Sequence, residues 1–137
     1  MKATKISIAE YQTLAALRYS LRQFLHFSET AAQGIGLTAQ QHQGLLAIKG
    51  FPDRDRVTLG EFAERLQICP HSAVGLANRL SAKKLIKRQR DQYDRRQIHL
   101  ALTHHGEVVL EKLSSAHKEQ LRRIGPEIES LLKRLRG

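Results

Sequence analysis

The chain is poor in several residue types, and each scarcity removes a class of protein. It has one cysteine, Cys69, so no intrachain disulfide can form, and a lone cysteine suits a reducing compartment. Tryptophan is absent and aromatics make up 5% of residues, too few for a stacking platform on single-stranded nucleic acid. No run approaches the roughly 18 uninterrupted apolar residues of a membrane span. The start, Met1-Lys2-Ala3-Thr4-Lys5, leads into a helix bearing Arg18 and Arg22 rather than an apolar signal region. A cytoplasmic protein without membrane association is expected. Acids are outnumbered, 13 against 23 Lys and Arg, for a formal charge of +10. That imbalance favours a polyanionic partner.

Catalytic signatures are missing too. Gly34-Ile35-Gly36 lacks the third glycine and the preceding strand of a dinucleotide fingerprint. There is no Gly-x-Ser-x-Gly, no phosphate-binding loop and no nucleophile paired with a base. Neither an enzyme nor a cofactor is expected.

What is present is organised by period. The 137 residues fit one domain. Apolar and small residues recur at helical spacing from about Ile8 to Gln33, namely Ile8, Tyr11, Leu14, Ala15, Leu21, Leu25, Ser28 and Ala32, and Gly34 to Gly36 end that helix. Thr38-x-x-Gln41 is a capping box that opens a second helix through Ile48. Phe51 to Arg56 reads as a charged loop. A second capping box, Thr58-x-x-Glu61, opens a short helix with Leu59, Phe62, Ala63 and Leu66 on one face. After Gln67-Ile68-Cys69, Pro70 starts another helix, with Ala73, Leu76, Ala77 and Leu80 on one face. The period then changes to two. Leu85 to Arg90 and Gln97 to Leu102 read as strands of a hairpin whose tip runs from Asp91 to Arg96. Thr103 caps a long helix, Gly125-Pro126 breaks it, and Ile128, Leu131, Leu132 and Leu135 mark a last helix.

Two short amphipathic helices sharing an apolar seam leave the second with a free face. Here that face carries His71, Ser72, Gly75, Asn78 and Arg79, suited to base edges in a major groove. The hairpin adds Lys87, Arg88 and Arg90 on its strands and Arg95 and Arg96 at its tip, where an arginine can enter a minor groove. His71, Ser72 and Asn78 are expected to face bases, while Arg79, Arg88 and Arg90 meet phosphates or support the fold. Asp91 and Asp94 suit this setting only as local braces for the arginines.

The run Thr58-Leu59-Gly60-Glu61-Phe62-Ala63-Glu64-Arg65-Leu66 resembles the MarR family of bacterial transcriptional regulators. So do Ser72-Ala73-Val74-Gly75-Leu76-Ala77-Asn78-Arg79-Leu80, the wing Asp94-Arg95-Arg96, and Leu102-Thr103-His104-His105-Gly106. With the flanking helices the resemblance spans nearly the whole chain. It implies a mainly α winged helix-turn-helix fold with a small antiparallel β-wing, dimerising through its N- and C-terminal helices. Residues 1–137 would form a single domain, with a DNA-binding lobe at about 38–103 and dimerisation helices at about 6–36 and 104–137. Arg96 would be the wing-tip arginine. Two positions depart from the pattern: Lys84 stands where the family usually has glycine, and Gly75 where many relatives carry threonine.

Length gives an independent reason for dimerisation. A first helix of about 25 residues is roughly 38 Å long, more than a small winged-helix core covers. A two-fold dimer would bury the excess and read a palindromic site. The expected function is a homodimeric, sequence-specific repressor of double-stranded DNA. The resemblance adds release by a small ligand, aromatic or phenolic in many relatives. Arg22, His26 and His42, with Tyr19 nearby, are candidates to hold it; otherwise they merely complete an interface. Three alternatives stay open: a nonspecific architectural DNA binder, a metal- or redox-responsive regulator of the same fold, and a winged-helix protein-interaction module. No metal ligand set is legible, because His104 and His105 are adjacent and diverge on a helix. Cys69 reads as a small buried turn residue rather than a redox sensor.

Overall fold

The computed structural model describes residues 4–137, so Met1 to Ala3 of the charged N-terminal segment lie outside the described residues. Five helices and three strands follow in order: α1 (Ile8–Gln33), α2 (Ala39–Lys49), β1 (Arg56–Thr58), α3 (Leu59–Leu66), α4 (Pro70–Ala82), β2 (Ile86–Arg90), β3 (Ile98–Leu102) and α5 (His104–Arg136). They gather into two compact units, one of Ala32–Ser114 and one of residues up to Ala31 together with Ser115–Gly137. Among the described residues no helix is long and apolar enough to cross a membrane.

The first unit is built on α2, α3 and α4. Leu45, Ile48, Val57, Phe62, Leu76, Leu80, Leu85 and Leu100 are its largest fully buried side chains. Gly44 lets α2 approach closely: a Cβ there would lie 3.1 Å from Leu80 and 3.2 Å from Phe62. Both expected capping boxes are formed. Thr38 and Gln41 exchange bonds of 3.0 and 3.1 Å, and Thr58 and Glu61 exchange bonds of 3.2 and 2.9 Å. Arg54 also pairs with Glu61 and stacks on the Phe51 ring at 4.5 Å, so the charged loop is anchored to α3.

The sheet has the order β1-β3-β2, all antiparallel, with Val57 opposite Leu100 and Ile86 opposite Leu102. β1 is an addition to the expected hairpin. Its three residues carry one buried apolar side chain, Val57, and it pairs only because β3 returns beside it.

The other unit pairs the bulk of α1 with the second part of α5. Ser7 and Glu10 form a further capping box at the start of α1. His117 meets Phe24 and Phe27 edge-on at 5.8 and 5.4 Å, and its Nε2 lies 2.7 Å from the Ser28 hydroxyl. Small and polar residues, Thr13, Ser20 and Ser28, fill the buried line of α1. Its large apolar residues face outward: Ile8, Tyr11, Tyr19 and Leu25 are 58–73% exposed.

The expected break at Gly125-Pro126 does not occur, and α5 continues to Arg136 with Pro126 inside it. A residue before proline resists the helical region partly through its Cβ. Gly125 has none, which lessens that clash at Pro126.

Helix α4 ends with Lys84 in the left-handed region, φ +61. Leu85 N–H donates to the Leu80 carbonyl at 3.0 Å and Lys84 N–H to that of Ser81 at 2.9 Å. This is the end that glycine makes most cheaply, and it settles the departure at position 84: the left-handed geometry is kept without glycine. A non-glycine residue there costs about 1–2 kcal/mol. Replacing Lys84 with glycine is therefore expected to raise stability by about 1 kcal/mol in urea unfolding, part of the gain being offset by the freer unfolded chain.

Candidate nucleic-acid interface

Helices α3 and α4 are joined through Gln67, at φ +55, then Ile68 and Cys69. The N-cap of α4 is Cys69, whose side chain makes no cap hydrogen bond, and Pro70 takes the first helical position. The leading N–H groups of α4 thus lack a side-chain cap, which favours an anion before the helix. Cys69 is exposed and not the buried turn residue expected. Its Sγ lies 3.2 Å from the Ser72 hydroxyl, and this contact foremost lowers the thiol pKa below the usual value. The burial expectation failed because the turn points away from the α3–α4 seam.

On α4 the inward row is Ala73, Leu76, Ala77 and Leu80, as its spacing implies. His71, Ser72, Asn78 and Arg79 are all exposed. Asn78 is not isolated: its Oδ1 accepts from Arg88 Nη1 of β2 at 2.6 Å. This bond links α4 to the wing. No sequence period could have found it, since the partners lie on different elements ten positions apart.

The wing turn is built by its two aspartates in different ways. Asp91 accepts from the N–H groups of Tyr93 at 3.0 Å and Asp94 at 2.6 Å, and its other oxygen faces His99 Nε2 at 2.9 Å. These contacts, the Asp94 N–H foremost, hold its carboxyl below the usual range. Asp94 accepts from both the backbone N–H and Nε of Arg96, at 3.1 and 3.2 Å. Arg90 donates to the Arg95 carbonyl at 2.6 Å. The expectation that both aspartates brace arginines holds for Asp94; Asp91 instead braces the turn's backbone. The Arg96 side chain remains 92% exposed. His99 was missed as a contributor, though it is the one polar side chain buried along β3.

Of the candidate effector residues, Arg22 and His26 line an open cleft of about 820 Å³ with Tyr19, Phe24, Phe27 and Ile124. His42 is not part of that lining; it is 3% exposed on α2, within the other unit. Among the described residues no group of three or more His, Cys, Asp or Glu side chains could hold a metal ion.

Known proteins share both pattern and fold. The MarR family model matches residues 35–97. The HTH-type transcriptional repressor MdtR of Bacillus subtilis is 31% identical over 83 residues, which are 61% of this chain and 52% of that protein. The match thus spans about half the length of that curated relative. AbsC, a MarR family transcriptional regulator from Streptomyces coelicolor, superimposes with a TM-score of 0.77 at 21% identity, over 96% of this chain and 90% of that one. A mutant of MepR from Staphylococcus aureus, bound to an oligodeoxyribonucleotide, gives 0.69 at 19% identity over 96% of each chain. At such identities the solved structures speak for the fold alone. The matched segment contains α2 to α4 and most of the wing, where the capping boxes, the helix-turn-helix and the braced arginine lie. Residues 35–97 thus match the MarR family, and the chain shares the winged helix-turn-helix fold of solved MarR family regulators.

Proposed function

We propose that this chain is a homodimeric repressor that reads a palindromic operator in double-stranded DNA. The observation that carries the reading is the pairing of an uncapped, polar-faced α4 with a wing whose Arg96 is held by Asp94 and still exposed. Helix α4 would enter a major groove with His71, Ser72 and Asn78 toward bases, its N-terminus near a phosphate. Arg96, and secondarily Arg95, would enter the adjacent minor groove. Arg88 and Arg90 hold Asn78 and the wing turn, and would add charge beside phosphates. The oligonucleotide-bound MepR mutant and the name of MdtR support DNA binding and repression.

The outward apolar row of α1, with Leu121 and Leu132 of α5, supports a second copy as its cover. Single exposed apolar residues are ordinary, but their recurrence along two helices suits an interface. Arg22 and His26 in the cleft offer a cation and an imidazole among aromatic side chains, which suits a small aromatic carboxylate as the releasing ligand.

Four measurements test this reading. Arg96→Ala is expected to weaken binding to every duplex by about 1–3 kcal/mol and to flatten the salt dependence; unchanged affinity excludes the wing. Competition with random DNA in the same titration separates a specific reader from an architectural binder, which would show no preference. Light scattering at micromolar concentration should give twice the chain mass, and a monomer refutes the two-fold reader. An aromatic carboxylate such as salicylate should release wild-type protein from DNA but release Arg22→Ala protein more weakly; equal release moves the ligand elsewhere.

A further inference from the structure

Gly75 and Arg79 form an arrangement to which the DNA-reading assignment above gives no role. At 100° per residue, the exposed side of α4 is centred on His71, Gly75, Asn78 and Ala82, with Ser72 and Arg79 along one edge. At Gly75 the middle of the face therefore has no side chain of its own. Arg79 occupies that space instead. A Cβ built on Gly75 would lie 3.3 Å from Arg79 Nη1, 3.9 Å from Nη2 and 4.0 Å from Cζ. The guanidinium thus lies over the bare backbone of Gly75, one turn back toward the N-terminus, as helical side chains lean.

Its neighbours have other duties. Arg88 is bound to Asn78, Arg90 to the Arg95 carbonyl and Arg96 to Asp94. Among the described residues no hydrogen bond, carboxylate or ring holds the Arg79 guanidinium. A planar fork of donors, unpaired and set across the centre of the groove-facing surface, matches the O6 and N7 acceptors of guanine. A residue whose task is a phosphate belongs at the rim of that surface, free to follow the backbone.

We infer that Arg79 is a base-reading residue selecting guanine at one position of each half-site, and that Gly75 is its specificity partner because it vacates the space the guanidinium fills. This revises the expectation that Arg79 meets phosphate or supports the fold, and it rests on the DNA-reading function proposed above.

Selection of bound duplexes from a random pool, followed by titration of single-position variants of the enriched site, tests it. Wild-type protein should require guanine at one position per half-site by about 5- to 150-fold. Arg79→Ala should lose that preference and keep the rest of the motif. Arg79→Lys, which keeps the charge but not the fork, should recover salt-sensitive affinity without the guanine preference. Gly75→Val is the sharper variant. It leaves Arg79 in the chain, suits a helix at least as well as glycine, and fills the space, so the same preference should fall with no loss of thermal stability. A motif unchanged in Arg79→Ala or Gly75→Val overturns the assignment alone. A wild-type protein that enriches no sequence overturns the operator-reading function and this assignment with it.

Discussion

The end of α4, the base of the wing and the start of the last helix meet at the carbonyls of Lys84 and Leu85. The Thr103 hydroxyl donates to the first at 2.7 Å, and Thr103 N–H donates to the second at 3.0 Å. The same hydroxyl accepts from Gly106 N–H at 3.0 Å, capping α5. Gly106 itself must lack a side chain, because a Cβ there would lie 2.1 Å from the Leu85 carbonyl oxygen. Three elements are thereby tied to one point of backbone. The strained left-handed turn at Lys84 persists because this network over-determines it.

From that point outward, polar contacts rather than apolar ones set where the arginines stand. Arg88 reaches back to α4, Arg90 secures the tip, and Asp94 fixes Arg96. Each exposed pair contributes little stability in water. Their value lies in direction: they reduce the rotamers that a basic side chain would lose on meeting DNA. The acids of this basic wing are thus supports for its cations and its turn. Two of the molecule's scarce acidic groups, Asp91 and Asp94, are committed to one six-residue turn.

Features read easily from sequence were those that need only near neighbours. The capping boxes at Thr38 and Thr58, the inward rows of α3 and α4, and the change from helical to alternating period at the wing all arise within a turn or a hairpin. Features that escaped depend on distant residues. β1 exists because β3 returns beside Val57. Cys69 has an ordinary turn context, and its exposure follows from how α3 and α4 meet. The proline of α5 looked like a stop because glycine before it is usually a breaker; here the missing Cβ lessens the clash that opposes a helical residue before proline.

Sequence by itself determined the order of α1 to α4 and the hairpin, the basic character of the helix-turn-helix and wing, and the resemblance to the MarR family, because periodicity, capping and charge are local and additive. Tertiary structure decided which side of α1 faces outward, which of Arg22, His26 and His42 share a cleft, and which arginines are already engaged. Those outcomes depend on what lies across a gap of a few ångströms, and neighbours in space need not be neighbours in the chain.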